Sequence, residues 1–270
     1  MKTKVLYFFI VSLFLGSCKN DDHQKSKDLT ILPDITKPKD ESMKTKEFSG
    51  DFDSIEVSQA IEAEIVKSDY EKVVISAPSY IIDEIVVSNT NGSLKIQYKS
   101  GVRVANINKV RAKIYARDFV KVAASSGAEI KIHDQFTQDK TDVVVSSAGE
   151  INGDLEANDM KITASSGGSF SGKIWAVNLI VDSSSSGSVD INGKTKTFAG
   201  TASSGADIDA SQVSTENAKV SASSGADIEI SVISYLEAVA SSGASVDVLK
   251  SGSVTIGKKE ESSGGSVSIR

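Results

Sequence analysis

The sequence predicts an all-β solenoid, a chain wound into stacked parallel coils of about 19–20 residues each. Three observations predict it. The first is a repeat: Ala124-Ser125-Ser126-Gly127-Ala128-Glu129-Ile130 recurs, with small changes, to the end of the chain. Its copies begin at Ser125, Ser146, Ser165, Ser184, Ser203, Ser223, Ser241 and Ser262, which are 21, 19, 19, 19, 20, 18 and 21 residues apart. A fixed period near twenty is the mark of a stacked architecture. The second is the pattern inside each copy. Two serines (Ser125-Ser126, Ser146-Ser147, Ser165-Ser166, Ser184-Ser185, Ser203-Ser204, Ser223-Ser224, Ser241-Ser242, Ser262-Ser263) precede two small residues and a polar one. The sixth position is always apolar: Ile130, Ile151, Phe170, Val189, Ile208, Ile228, Val246, Val267. The third is proline. All three, Pro33, Pro38 and Pro78, precede the repeats. A strand inside a stack has neighbours on both sides, and proline cannot donate to that ladder.

From the N-terminus, Lys2 and Lys4 precede an apolar run, Val5 to Leu15, too short to span a bilayer. Residues 1–17 therefore read as a signal peptide. The run ends in Leu15-Gly16-Ser17-Cys18, which resembles the lipobox of bacterial lipoproteins. That resemblance implies that Cys18 is lipidated, becomes the mature N-terminus and anchors the chain to a membrane. Cys18 is the only cysteine, so no intrachain disulfide can form. Lys19-Asn20-Asp21-Asp22 resembles a surface-export signal of some lipoproteins, and equally suits the start of a solvated linker. The expected location is the outer membrane, at its periplasmic face or at the cell surface. Residues 18–45 are polar, without sustained period, and read as a flexible tether. His23 lies there and takes no role.

Residues 46–118 alternate. Phe48, Phe52, Ile55 and Val57 open the region, and strand-like runs at Ala60–Val66, Val73–Ile75, Ile85–Val87, Leu94–Tyr98 and Ala112–Tyr115 follow, separated by turn residues, among them Asn91-Gly92, a hairpin signal. Five or six strands are expected. They are either irregular first coils that cap the stack or a small separate β domain.

In the repeats, alternation from Ile130 backwards places Ala128, Ser126 and Ala124 inside and Glu129, Gly127 and Ser125 outside. The expected interior is narrow and lined mostly by small groups, a flattened solenoid of two or three short strands per coil. The second serines would stack, each hydroxyl donating to the next. Glycine supplies the tight bend. In Ser146-Ser147-Ala148-Gly149 it arrives one place late, which predicts a shifted bend. At roughly 4.8 Å per coil, eight coils span about 38 Å. Lys258-Lys259-Glu260-Glu261 suits an exposed rim or a protected edge, and the terminal strand could pair with a second copy.

Phe48-Ser49, Phe52, Ile55-Glu56-Val57, Asn91-Gly92-Ser93-Leu94-Lys95-Ile96 and the recurring Ser-Ser-Gly-Ala-Asp/Glu-Ile together resemble the GIN-domain family, the putative auto-transporter adhesin head. The resemblance covers 46–270. It implies a right-handed, single-stranded parallel β-helix and brings no catalytic residues.

Chemistry is sparse. His133 is the only histidine after the tether, no Gly-x-Ser-x-Gly elbow occurs, and a nucleophile does not need eight copies. Asp207 with Asp209, and Asp227 with Glu229, share strand faces, but the nine-residue calcium β-roll spacing is absent, so they read as solvated acids. No metal and no cofactor is expected. A net charge of −6 disfavours nucleic acid and acidic substrates. Trp175, the only tryptophan, reads as a packing residue, with a sugar-stacking platform as the alternative. The expected protein is not an enzyme. It is structural or adhesive, binding glycan, matrix or protein. A polysaccharide-active enzyme and a self-assembling envelope spacer remain the other classes.

Overall fold

The structure is a computed structural model and describes residues 42–102 and 110–270. The expected signal segment, Cys18, His23 and the tether up to residue 41 lie outside the described residues. Among the described residues, all seventeen strands belong to one sheet and the only helical element is a 3-10 turn, Ile82–Glu84.

The stack is built from β9 (Glu129–Ser146), β10 (Glu150–Ser165), β11 (Ser169–Ser184), β12 (Ser188–Ser203), β13 (Asp207–Ser223) and β14 (Asp227–Ser241). Each is one coil and pairs in parallel with the next. The following coil is split into β15 (Ser245–Lys250), on the first part of β14, and β16 (Thr255–Ser262), on its second part. β17 (Ser266–Ile269) closes on β15. The sixth repeat positions form a single column, Ile130, Ile151, Phe170, Val189, Ile208, Ile228, Val246 and Val267, each in register with the next and buried.

Within a coil, alternation breaks twice. In β10 the buried residues are Ile151, then Leu155 and Ala157, then Met160, Ile162 and Ala164, with the breaks at 153–154 and 158–159. A coil therefore has three limbs, and its interior is not the narrow, small-residue slot expected from the motif. Phe136, Phe170 and Phe198 are wholly buried there, and one apolar cluster runs from Phe52 to Val267. At the first break neighbouring coils touch backbone to backbone. A Cβ on Gly172 would lie 2.0 Å from the Gly153 carbonyl oxygen.

The serine pair closes each coil in a tight turn. Ser126 (φ 54°) and Gly127 (φ 74°) are both left-handed, and the Ala128 N–H donates to the Ser125 carbonyl at 3.1 Å, as in a type I′ turn. The same bond recurs in all eight copies. Left-handed serine is disfavoured by roughly 1–2 kcal/mol. Bonds between turns offset it: Gly127 N–H donates to the Ser147 carbonyl, Ala148 N–H to Ser166, and Gly167 N–H to Ser185.

The turn corrects two expectations. The second serines, Ser126, Ser147, Ser166, Ser185, Ser204, Ser224, Ser242 and Ser263, are exposed, so they form no internal hydroxyl ladder. A type I′ turn rotates the chain between its central residues, and strand alternation cannot be carried through it. Nor does the bend shift at Ala148. That residue takes the left-handed place itself (φ 57°), and Gly149 is needed where a Cβ would meet the Ala124 carbonyl oxygen at 2.5 Å.

The N-terminal strands are β1 (Met43–Ser49), β2 (Ser54–Ser58), β3 (Glu62–Lys67), β4 (Lys72–Pro78), β5 (Ile85–Thr90), β6 (Ser93–Tyr98), β7 (Arg111–Ala116) and β8 (Lys121–Ser125). The first strand starts at Met43, three residues before the expected boundary at 46. Stacking order departs from chain order. The layer β2–β3 lies between β6–β7 on one side and β8–β9 on the other, all parallel. It contains a turn of the repeat type without the repeat's sequence. Gln59 (φ 63°) and Ala60 (φ 55°) are left-handed and donate to the Ser125 and Ser126 carbonyls. The outer strands are antiparallel: β4 on β7, β1 on β4, and β5 on β6 through the expected Asn91-Gly92 hairpin.

The other end closes by charge. Column register puts Lys259 over Ala238 and Glu261 over Ala240, both inward positions in every earlier coil. Lys259 Nζ lies 3.2 Å from Glu261 Oε1, which also accepts the Val267 N–H at 2.8 Å. That N–H first, and Lys259 second, hold the Glu261 carboxyl below its ordinary pKa. Inward charges on a last coil prevent further strands from stacking on it.

Candidate functional site

In β11, Ile174 and Ala176 point inward and are buried, so Trp175 between them must point out. It is 44% exposed, so a packing role is met only in part and a large share of the ring faces solvent. The exposed share forgoes part of the roughly 1.5–3 kcal/mol that full burial of a large apolar side chain provides.

Trp175 stands in an outward column, Thr137, Glu156, Trp175, Lys194, Ser214. It separates two concavities. One, of about 320 Å³, is lined by Gln135, Asp154, Lys173 and Lys194 besides Trp175. The other, of about 650 Å³, is lined by Asp118, Gln138, Asp139, Glu156 and Asn158 besides Trp175. Their polar groups are held in place: Gln135 Nε2 donates to Glu156 Oε2 at 2.6 Å, Asn158 Nδ2 to Asp139 Oδ1 at 3.1 Å, and the Lys173 N–H to Asp154 Oδ1 at 3.0 Å. Gln138 is the exception. It is in register with inward Ala157, and both polar atoms of its amide are buried without a hydrogen-bond partner. Beside this face runs a ladder of side chains, in which Thr197 Oγ1 donates to Asn178 Oδ1 at 2.8 Å and Asn178 Nδ2 to Asp159 Oδ1 at 2.7 Å.

The expected acids lie on the limb after the turn. Asp207 is in register with Asp227, and Asp190 with Asp209 and Glu229. Among the described residues no three His, Cys, Asp or Glu side chains are placed to hold a metal ion. His133 is exposed, with Nε2 3.8 Å from Glu64 Oε2.

A family model described as "Putative auto-transporter adhesin, head GIN domain" matches residues 51–252. The chain belongs to this GIN-domain family. Three solved structures are similar to this GIN domain in fold. A putative adhesin from Parabacteroides distasonis ATCC 8503 is 18% identical (TM-score 0.73; 85% of this chain, 97% of that one). A putative adhesin from Parabacteroides merdae ATCC 43184 is 16% identical (TM-score 0.71; 84% and 96%). A protein from P. distasonis titled a putative lipid binding protein is 19% identical (TM-score 0.71; 84% and 96%). No curated protein matches the chain. Among the described residues of the GIN domain, no helix is long and apolar enough to cross a membrane.

The acidic limb of the GIN domain has a consequence for stability. Burial, followed by the charges of Asp209, Asp227, Glu229 and Asp190, pushes the Asp207 carboxyl above its ordinary pKa. The folded chain then holds this proton to higher pH than the unfolded chain does. Stability therefore falls as pH rises through the window above the ordinary carboxylate value. Asp207→Asn should melt higher than the parent at about pH 7 in low salt. The gap should narrow in about 1 M salt and close towards about pH 3. A variant that melts no higher than the parent at neutral pH would show that these carboxylates do not repel.

Proposed function

We propose that this GIN domain is the adhesive part of a lipid-anchored envelope protein, held in the outer membrane through Cys18 and facing the periplasm or the cell surface. The observation that carries the reading is the set of open faces on which outward polar side chains of successive coils stand in register around an exposed Trp175. Such faces make many weak polar contacts at a fixed spacing, which suits an extended glycan, matrix or protein ligand. The family and two of the three structural neighbours carry adhesin names, which supports the same reading. The charged last coil speaks against a self-assembling spacer that grows end to end.

The test is binding of the purified chain to an array of glycans and matrix proteins, with and without calcium. Saturable binding to one class, unchanged by calcium removal, is expected, and silence across the array would end the adhesive reading. In cells, Cys18→Ala should move the chain out of the membrane fraction. Retention there would remove the lipid anchor.

A further inference from the structure

We propose that the two concavities flanking Trp175 form one binding cleft for a neutral oligosaccharide, with a pyranose ring stacked on the indole. The proposal deepens the adhesive reading and rests on it. Three observations carry it. The indole is 44% exposed, and its neighbours in the outward column, Glu156 and Lys194, are polar. The apolar C–H face of a pyranose covers such a ring while its hydroxyls stay free to bond at the edges, and an aromatic group with an apolar body beside polar contacts serves that need. Concavities open on both sides of the ring, which suits a chain of sugars running through rather than a single one.

Charge selects the class of sugar. The cleft presents Asp118, Asp139, Asp154 and Glu156 against Lys140, Lys173 and Lys194, and Lys140 is already paired with Asp142 at 3.1 Å. Glu156 and Lys194 flank Trp175 in its column with opposite charges, so the cleft offers hydroxyls an acceptor and a donor and a uronic acid or a sulfate no net attraction. The fit is to uncharged hexoses.

Trp175 is the only tryptophan, so its emission reports this cleft alone. The experiment titrates the purified chain with the neutral hexasaccharides of β-1,3-glucan, cellulose and mannan, and with hexagalacturonic acid as the acidic arm. A saturable change in emission with at least one neutral glycan and none with the acidic one is expected. Trp175→Ala should lose at least tenfold in affinity, measured by calorimetry, with the β circular-dichroism signal retained because the ring lies outside the buried core. Array binding that persists at parental affinity in Trp175→Ala would overturn the cleft and leave the adhesive reading standing. Absence of all binding would overturn both. An emission change only with the acidic glycan, or only with a matrix protein, would overturn the neutral-sugar assignment.

Discussion

Phe170→Ala should cost about 3–5 kcal/mol, the range for removing a fully buried aromatic ring. Phe170 has no exposed surface and sits mid-stack, in register with Ile151 and Val189. The coils above and below are held apart by their own backbone ladders, so they cannot close on the vacated space, and the cavity term stays large. The position matters as much as the size. A stack of coils is quasi-one-dimensional, each coil coupled mainly to its neighbours. A weak coil in the middle should therefore uncouple the two ends, and urea unfolding should change from one transition to two. The check is a denaturation curve followed by far-ultraviolet circular dichroism, with hydrogen exchange to locate the first segment lost. A loss under about 1 kcal/mol, with one transition retained, would mean that the column is not tightly packed.

Gly172→Ala should be comparably damaging for a different reason. The new methyl carbon would lie 2.0 Å from the Gly153 carbonyl oxygen, and that oxygen belongs to a strand rather than to a pliable side chain. Overpacking typically costs about 1–3 kcal/mol, and more where backbone must move. Here relief requires β10 and β11 to part at their first break, with loss of ladder bonds. Gly167→Ala is the control. Gly167 is left-handed (φ 70°), but a Cβ there would meet nothing within 4 Å, and Ala148 and Ser186 occupy the equivalent turn position natively. It should cost about 1 kcal/mol, the left-handed penalty alone. Thermal melts of the two variants side by side decide the matter. Equal shifts would show that coil contact at Gly172 is looser than its geometry.

The internal column from Ile130 to Val267 was legible because one apolar position per copy survives every change of its neighbours. Orientation of the second serines was not. Alternation is a property of extended strand, and Ser126 belongs to a turn whose left-handed residues interrupt it. The turn at Gln59-Ala60 lacks the serine–glycine signature, and its layer is inserted out of chain order, so no period could find it. The close approach of Gly153 and Gly172 depends on register between coils and leaves no trace within either copy. The outward direction of Trp175 was within reach of the sequence. Ile174 and Ala176 bracket it at the spacing that marks inward positions, and the general tendency of tryptophan to pack inside is overridden by that local alternation.

The charged last coil has a bearing on reach. Nothing in coils β9 to β14 counts how many there should be, since each offers its successor the same edge. The instruction to stop is confined to Lys259 and Glu261. Duplicating a coil ahead of that terminator would lengthen the head by roughly 4.8 Å and leave every existing layer in place. Copy-number change in the gene is thus a ruler, by which the length of the stack can be reset in evolution without redesign of the coil.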